Sequence, residues 1–418
     1  MTLDDHPRHE RDHGQNARCD HGDAVTLWNS YFLSDHGYIR KPDSILMKIN
    51  ALCLYAGPAA RRYIEHEGFQ PSSVGVVPAA AGGPKGLILG PLDRFIFGQW
   101  LPRSTHPVDL VGASIGAWRM ATACLPEPIA GFEMLEEGYI HGDMKAPPGR
   151  KLPLPSQVSA TFAANLRTMF DGQVASILSH PRYRLHVVTS HGRHVLAREG
   201  KWRTALGYLG AALTNAASRR AMGVWLERVV FSSPELRGRA PSPMPFDTLD
   251  YRTRHALLSQ DNFYAVLQAS GSIPFLLQAV HDIPGGPRGA YWDGGITDYH
   301  LHLAYRSLPS GASATPESAR LVLYPHFQKE VVPGWLDKPW KRRHAASSAL
   351  DHMLLLAPNP EWIAQLPNGK LPDRKDFQTL THAERVRAWS TAVSMATQLA
   401  EEFADWLERP CPRMVQAL

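Results

Sequence analysis

The feature of the sequence that most constrains the fold is a Gly-x-Ser-x-Gly motif at residues 112–116, which separates two apolar segments. Residues 108–111 are typical of a buried strand, and residues 117–124 continue as a mostly apolar helix. A strand, a sharp turn and a helix are therefore predicted in succession. Such a turn strains the backbone of its central residue, and Gly112 and Gly116 lack the Cβ atoms that would collide there.

This turn puts Ser114 at the N-terminus of the predicted helix. The positive end of the helix dipole and the free backbone N–H groups stabilise negative charge that develops beside the hydroxyl. The same five-residue motif also arises by chance, so the flanking strand and helix carry the prediction. We interpret Ser114 as a candidate nucleophile.

A glycine-rich segment precedes this motif by about thirty residues and follows a short predicted strand at residues 74–77. It reads Ala-Ala-Ala-Gly-Gly-Pro-Lys-Gly over residues 79–86, and its glycine pair lets backbone N–H groups approach a ligand closely. The spacing does not match a P-loop, and it matches the dinucleotide fingerprint at only two of three glycines. An oxyanion-binding loop is the favoured interpretation, and a tight connection without a functional role is the alternative.

Two later segments contain residues suited to the same chemistry. Residues 269–274 read Ala-Ser-Gly-Ser-Ile-Pro, and a short predicted strand at residues 290–292 is followed by Asp293, Gly294 and Gly295. A carboxylate at the end of a strand, next to two residues without side chains, can reach into a site above the sheet. Asp293 is therefore a candidate acid–base group, although Asp-Gly is also common in ordinary turns.

Composition excludes several classes of protein. No apolar run approaches the roughly 18 residues of a membrane-spanning helix, and the four cysteines lack the spacing of a zinc site or a disulfide framework. The net charge of +5 is mild and the basic residues are scattered except at residues 338–344, so we expect no nucleic-acid partner, while contact with an anionic membrane surface stays open. Residues 1–23 have no apolar signal core, which predicts a cytoplasmic protein, peripheral to the membrane if it binds one.

The order of the predicted elements indicates one α/β domain with extensions at both ends. Strands and helices alternate from residue 74 to 325, which predicts a mostly parallel sheet. Residues 1–24 are predicted to be a disordered, His-rich tail, and residues 25–71 a helical lead-in that contains a helix at 58–67. Residues 306–418 are predicted to add a final strand at 321–324 and one long helix.

Other stretches are assigned from their Pro and Gly residues and from the spacing of their apolar residues. Pro and Gly residues at 126–155 predict loops. Apolar residues within 202–231 predict ordinary core helices, with a lid or a lipid-facing cap as the alternative. The long C-terminal helix is predicted to begin at a capping box formed by Thr381 and Glu384.

With these motifs placed, the chain resembles the patatin-like phospholipase family over roughly residues 72–305. The family has the same order of glycine-rich loop, serine motif, Ala-Ser-x-Ser-Ile-Pro stretch and Asp-Gly-Gly. The resemblance implies a three-layer α/β/α patatin-like fold, to which the chain adds a helical C-terminal extension. It also implies that Ser114 and Asp293 form a catalytic dyad.

The resemblance assigns roles to the glycine-rich loop as well. Gly82 and Gly83 would supply oxyanion N–H groups, Lys85 stands where the family has Arg or Lys, and Gly86 completes the loop. The family usually begins this loop with a third glycine, whereas this chain has Ala81. The implied activity is hydrolysis of lipid carboxylic esters of the phospholipase A, lysophospholipase or esterase type, with a lipid or small ester as substrate and without a cofactor or metal.

Three alternatives stay open at this point. A Ser-His-Asp hydrolase shares the serine motif, and four histidines that follow Ser114 could transfer the proton: His300, His302, His326 and His382. A metal centre could use Asp293, Asp298, His300 and His302. A module that binds lipid without turnover would need the same pocket but no nucleophile.

Overall fold

An 11-stranded, mostly parallel sheet organises the part of the chain that our computed structural model describes, residues 49–143, 153–235, 238–306 and 321–418. The predicted tail and the start of the lead-in lie outside the described residues. The chain divides after Lys48 into two units, of which the second, Ile49–Leu418, contains the sheet. Its strands are β1 (Leu52–Ala56), β2 (Val74–Ala79), β3 (Val108–Ala113), β4 (Tyr183–Gly192), β5 (Leu226–Ser232), β6 (Thr253–Leu257), β7 (Val280–His281), β8 (Ala290–Asp293), β9 (Leu321–Pro325), β10 (Met353–Pro358) and β11 (Val415–Ala417).

Helices cover the sheet. Every residue of the central strands β2, β3, β9 and β10 is buried, which is typical of parallel strands with helices on both faces. The predicted α/β class and three-layer α/β/α arrangement are thereby confirmed. The helices are α1 (Pro58–Glu67), α2 (Gly90–Phe95), α3 (Ile115–Ala123), α4 (Pro128–His141), α5 (Pro155–Phe170), α6 (Val174–Leu178), α7 (Lys201–Ala217), α8 (Phe263–Ser270), α9 (Pro360–Ile363), α10 (Asp376–Thr379), α11 (His382–Met395) and α12 (Thr397–Glu408).

The strand order is β11-β1-β10-β9-β2-β3-β4-β5-β6, and β8 pairs with β4 and β7. One edge of β4 is occupied by β5 over its length from His186 to Gly192, so β3 and β8 must share the other edge. Strand β3 ends with Ala113 opposite Val188, and antiparallel β8 ends with Asp293 opposite the next residue of β4. The ends of β3 and β8 therefore meet on neighbouring positions of one strand.

More strands join the sheet from the two ends of the described chain than the sequence predicted. Strand β1 lies within the lead-in that we expected to be helical, and β10 and β11 accompany the predicted strand β9. Strand β1 pairs antiparallel with β10, with Leu52 opposite Pro358, and parallel with β11. Local periodicity did not reveal β1 and β11, which are short and pair with segments far away in sequence, whereas the apolar run of β10, which pairs with β9, offered a local signal that was missed.

Two helical assignments were wrong. Helix α4 lies within the stretch predicted as loops, where Pro128 stands at its first position and Gly131 lets the helix pack on Leu125. The predicted long C-terminal helix begins at the capping box of Thr381 and Glu384, as expected. It is interrupted at Ala396, which separates two helices, α11 and α12.

The stretch at 202–231 also differs from the expected core helices. Its second part is strand β5, and its first part is α7, whose large apolar side chains point to solvent: Trp202, Leu206, Leu209 and Leu213 are exposed by 56–82 %. Small residues face the protein instead, since Gly207 packs against Leu196 and Gly210 against Trp225. In the described ranges, no helix has both the length and the apolar character that crossing a membrane requires.

A buried ion pair fixes α3 against α2. Both Asp93 oxygens accept hydrogen bonds from Arg119, at 2.6 and 2.8 Å, and both side chains are almost fully buried. Removing one partner of such a pair leaves the other charge buried and uncompensated.

Asp93→Ala is expected to lower the free energy of unfolding by about 3–5 kcal/mol, because Arg119 would lose its counter-ion in a site closed to water. Urea unfolding followed by circular dichroism measures the change. Asp282→Ala is the control, since it removes an ion pair with Arg198 that is about half exposed, and we expect a much smaller loss of stability. Equal losses in the two variants would contradict this account of α3.

Candidate functional site

The serine motif forms the expected strand–turn–helix. Ser114 follows β3 directly and has φ +57° and ψ −128°, a conformation that is strained for a residue with a side chain. Its backbone N–H donates to Ser270 Oγ at 2.9 Å, and the Ser270 hydroxyl donates to the Val188 carbonyl at 2.7 Å. The strained turn is thus fastened to β4 through a side chain of the Ala-Ser-Gly-Ser-Ile-Pro stretch.

Close backbone contacts explain the two glycines of the motif. A Cβ atom at Gly116 would collide with the carbonyl oxygen of Ala79, and one at Gly112 would collide with Ala117. The first turn of α3 therefore packs directly on the end of β2, where the glycine-rich loop begins.

The side chains of Ser114 and Asp293 are in contact. Ser114 Oγ donates to Asp293 Oδ2 at 2.7 Å, across 179 positions of sequence. The other carboxylate oxygen accepts the Gly295 N–H at 2.7 Å, and the Asp293 carbonyl accepts from Ser190 Oγ at 2.9 Å. The backbone carbonyl and one carboxylate oxygen of Asp293 are thus held in place, which leaves Oδ2 to accept the hydrogen bond from the serine.

Burial shapes the proton affinity of this carboxyl group. Asp293 is 5 % exposed, and desolvation raises its pKa above the ordinary range of aspartate. The positive charge of Arg374 and the hydrogen bond from Ser114 act in the opposite direction. A raised pKa makes the carboxylate a stronger base than an aspartate in water.

The glycine-rich loop lies between the serine turn and the aspartate turn. Gly83 has φ +58° and begins a 3₁₀ helix, Gly83–Leu89, and the Ala81 N–H donates to the Tyr299 carbonyl at 3.0 Å. A Cβ at Gly295 would lie 2.5 Å from the Cβ of Ala81, so the aspartate turn contacts the glycine-rich loop at Ala81. The segment from Gly83 includes Lys85 and Gly86, and Gly86 faces Ile115 of α3. Gly294 packs against the Val188 carbonyl of β4.

A cavity of about 570 Å³ opens beside Ser114, which is the size of a typical small-molecule site. Its wall is mostly apolar and includes Trp118, Met134, Phe162 and Phe275. These side chains come from α3, α4, α5 and the segment after α8. The remaining wall comes from the C-terminal part of the chain, between Arg374 and Arg385.

The four candidate histidines make other contacts. His300 Nδ1 bonds to the Glu330 carbonyl and His302 Nδ1 to the Val331 carbonyl. His326 Nδ1 bonds to the Gln328 carbonyl, and His382, which lines the cavity, bonds to the His141 carbonyl. Burial lowers the pKa of His326 to about 3 and that of His300 well below its usual value. The structure does not bring these four rings into hydrogen-bond contact with Ser114.

The residues considered for a metal centre also have other partners. Asp298 accepts from Arg228 at 2.6 and 2.8 Å and from Arg219 at 3.1 Å. His300 and His302 bond to the backbone carbonyls named above. Within the described residues, no group of three or more His, Cys, Asp or Glu side chains is arranged to hold a metal ion.

Two cations beside the site escaped the sequence analysis. Arg374 lines the cavity together with Ser114, and its Nε lies 2.9 Å from the position that a Cβ at Gly83 would occupy. Lys338 lies within electrostatic range of Asp293. Arg374 carried no motif, and Lys338 appeared only as part of a basic stretch, so local sequence gave no signal for their placement.

No model of a known protein family matches this chain, and a search of curated proteins finds no match either. The case for function therefore depends on the geometry of the site.

Stability is expected to respond to pH through Asp293. Because its folded pKa is raised, the native chain loses stability as pH rises through that value, whereas asparagine does not ionise. Asp293→Asn should therefore gain stability relative to the native chain as pH rises above about 4 and through that raised pKa, by about 1.4 kcal/mol per unit of raised pKa. Denaturant unfolding at several pH values measures this difference.

Asp282→Asn supplies a control with the opposite sign. The hydrogen bond from Arg198 lowers the pKa of Asp282, so the native chain keeps that stabilisation at high pH and loses it as pH falls. The asparagine variant should therefore become less stable than the native chain as pH rises. A pH-independent difference for Asp293→Asn would show that its carboxyl group is not perturbed by burial.

Proposed function

We propose that this protein is a serine acyl hydrolase that cleaves lipid carboxylic esters through a Ser114–Asp293 dyad and an acyl-enzyme intermediate. The observation that carries the proposal is the 2.7 Å hydrogen bond from Ser114, held on a strained turn at a helix N-terminus, to a buried carboxylate. The resemblance to the patatin-like phospholipase family points to the same chemistry.

In the first half-reaction, Ser114 Oγ attacks the ester carbonyl carbon while its proton moves to Asp293 Oδ2. The tetrahedral intermediate then collapses, the carbon–oxygen bond to the alcohol breaks, and Asp293 returns the proton to the leaving alcohol. Water attacks the acyl-enzyme by the same route, giving up a proton to Asp293, and Ser114 recovers it as the carboxylic acid departs. The dyad is therefore regenerated with every proton accounted for.

Negative charge on the carbonyl oxygen needs donors in a site shielded from water. The N-terminus of α3 and the loop at Gly82 and Gly83 are the elements nearest to Ser114 that can offer backbone N–H groups. One such donor typically contributes about 3–4 kcal/mol of barrier lowering. Lys85 and Gly86 follow in the same loop and support its position.

The cavity favours a substrate with an apolar chain. Its wall contains several aromatic and aliphatic side chains but few polar ones close to Ser114, which suits an acyl group better than a sugar or a peptide. Phospholipids, lysophospholipids and simple esters all present such a group. We accordingly keep a lipid or a small ester as the substrate class.

Contact with an anionic membrane surface remains part of the proposal, but the basic stretch at 338–344 is a poor candidate for it. Arg343 donates to Asp337 at 2.7 Å and His344 is buried against the Asp337 carbonyl. Lys341 and Arg342 are exposed, while Lys338, also exposed, lies over the Tyr299 ring at 4.0 Å. A membrane-binding surface is therefore expected outside this stretch.

Ser114→Ala is expected to abolish hydrolysis of a short-chain nitrophenyl ester, with a loss of about 10⁴-fold or more in kcat, because no other group can form the acyl-enzyme. Asp293→Asn should come close to the same loss. A fluorophosphonate probe should label the native chain at Ser114, as read by mass spectrometry. Ser242→Ala is the matched control, since Ser242 is a buried serine that bonds to the Pro234 carbonyl, away from the site.

Substantial turnover by the Ser114→Ala variant would refute the mechanism. A chain that binds lipid but is neither labelled nor active would instead be a binding module. Activity that survives Asp293→Asn and disappears on replacing one histidine by glutamine would point to a Ser-His-Asp triad.

A further inference from the structure

Three cationic side chains surround the glycine-rich loop. Arg374 lies over Gly83, with Nε 2.9 Å and Nη2 3.2 Å from the position of a Cβ there. Lys85 belongs to the loop itself, and its Nζ lies 5.5 Å from the centre of the Phe327 ring, which packs on Gly82. The loop is thus flanked by positive charge, and Arg374 also lines the cavity beside Ser114.

Lys338 completes this group, which we call the cation cluster (Lys85, Lys338 and Arg374). Its Nζ lies 4.0 Å from the centre of the Tyr299 ring, and Tyr299 accepts the backbone hydrogen bond from Ala81 at the start of the loop. Burial and the charges of Arg374 and Lys85 lower the pKa of Lys338 to about 8. The three cations are therefore close enough to repel one another.

The cation cluster has no ion-pair partner among the described residues. No carboxylate oxygen there lies within 4.0 Å of its charged nitrogens, whereas the buried Arg119 and Arg228 are paired at 2.6–2.8 Å. Asp293 and Asp373 are the carboxylates that act on the cluster at longer range. Three mutually repelling charges beside a cavity, one of which, Arg374, lines it, create a local preference for an anion.

We propose that the cation cluster binds an anionic group, a phosphate or a carboxylate, that the ester substrate carries next to its scissile bond. This inference rests on the proposed function and narrows its substrate to anionic esters such as phosphate-bearing lipids. Arg374 can bind the anion through two parallel N–H groups, while the lysines act as point charges. The acyl chain then occupies the apolar cavity, and the anionic group lies over the loop.

A pair of esters with the same acyl chain tests this assignment. Octanoyl glycerol 3-phosphate and monooctanoylglycerol, both used below micelle formation, differ only in the phosphate group. We expect the native chain to hydrolyse the phosphate ester with at least tenfold higher kcat/KM. Arg374→Gln and Lys338→Gln should each lower this ratio about tenfold, because each removes one charge that contacts the anion.

Arg342→Gln and Lys341→Gln are the matched controls, since both are exposed cations outside the cluster, and the ratio should stay unchanged in them. Calorimetric titration of the Ser114→Ala variant with octanoyl glycerol 3-phosphate should show binding that Arg374→Gln weakens to the same degree. Equal kcat/KM for the two esters, with hydrolysis still dependent on Ser114, would overturn the anion site and leave the proposed function standing. Competitive inhibition by inorganic phosphate without a preference for the phosphate ester would overturn it too, because the anion would then not belong to the substrate.

An independent observation concerns helix α7. Its exposed side chains Trp202, Leu206, Leu209 and Leu213 recur at helical spacing and form one continuous apolar stripe, which we call the α7 stripe. Soluble proteins rarely leave four large apolar side chains side by side in water without a partner.

The charges on α7 indicate the nature of that partner. The helix contains the exposed cations Lys201 and Arg203 and no acidic residue. An apolar stripe flanked by basic residues is typical of helices that lie in the surface of an anionic bilayer.

The α7 stripe is also close to the mouth of the cavity. Tyr208 on the inner side of α7 contacts Phe275 edge to face, with ring centres 6.2 Å apart. Phe275 and Leu276 are themselves exposed and line the cavity beside Ser114. We propose that the α7 stripe, with Phe275 and Leu276, binds an anionic lipid bilayer and brings the cavity against the membrane from which a lipid enters.

Sedimentation with vesicles tests this surface. The full chain should bind vesicles of phosphatidylcholine and phosphatidylglycerol in equal parts, and should bind pure phosphatidylcholine vesicles less. Replacing both Leu206 and Leu209 by serine should reduce the partition coefficient at least tenfold, since two buried leucines would be lost from the bilayer. Met414→Ser is the control, because Met414 is a similarly exposed apolar side chain beside β11 at the far edge of the sheet.

Light scattering and a soluble nitrophenyl ester complete the design. The double variant should remain monomeric and keep its activity on that ester, which separates loss of membrane binding from loss of the site. Vesicle binding unaffected by the double substitution would overturn the proposal. A dimer of the native chain that the double substitution dissociates would also overturn it, since a second copy would then cover the stripe.

Discussion

The register of strand β4 is the constraint on which the site depends. Val188 and Thr189 of this strand pair with the end of β3 and the end of β8. The Val188 carbonyl also holds Ser270, and the hydroxyl of the next residue, Ser190, holds the backbone of Asp293. A shift of β4 by one position would turn every side chain to the other face and separate the serine from the aspartate. The short hydrogen bond between them is therefore a product of sheet geometry rather than of flexible side chains finding each other.

Electrostatics around this pair is balanced between opposing effects. Burial of Asp293 favours its protonated form, while Arg374 and the surrounding hydrogen bonds favour the carboxylate. The same cations that support ionisation of the aspartate are themselves short of counter-ions. A negatively charged ligand would relieve their mutual repulsion but would weaken their support of the carboxylate, which couples ligand charge to the basicity of the dyad.

Local signals sufficed for the serine turn, because its strand, glycines and helix all lie within 17 positions, Val108–Cys124. The α/β class followed from the alternation of elements. The pairing of Ser114 with Asp293 came from a family resemblance, since no local pattern links residues so far apart. Nothing in the sequence could place Arg374 over Gly83, because that contact requires the C-terminal segment to fold back across the loop.

Helix α7 illustrates a different limit. Its apolar spacing correctly indicated a helix, but hydrophobic residues are ordinarily assigned to the interior. Here the inner face consists of Tyr208 and small or polar residues, with Gly207 and Gly210 packed against Leu196 and Trp225. The complementary shape of the surroundings, which no single stretch of sequence records, decided which face turned inward. The additional strands β1 and β11 escaped prediction for a related reason: each depends on a partner across most of the chain.

The pairing of β1 with β10 and β11 has a consequence for how the chain folds during its synthesis. Strand β1 is synthesised early, yet its hydrogen-bonding partners emerge only some three hundred residues later. Until then, β1 has no partner in the sheet, and the edge of β2 that later pairs with β9 is open to other chains, which is a situation in which chaperones are commonly needed. The cavity wall around Arg374 is also made late, so a ribosome-bound chain would hold its serine turn and aspartate before it holds the pocket that admits a substrate.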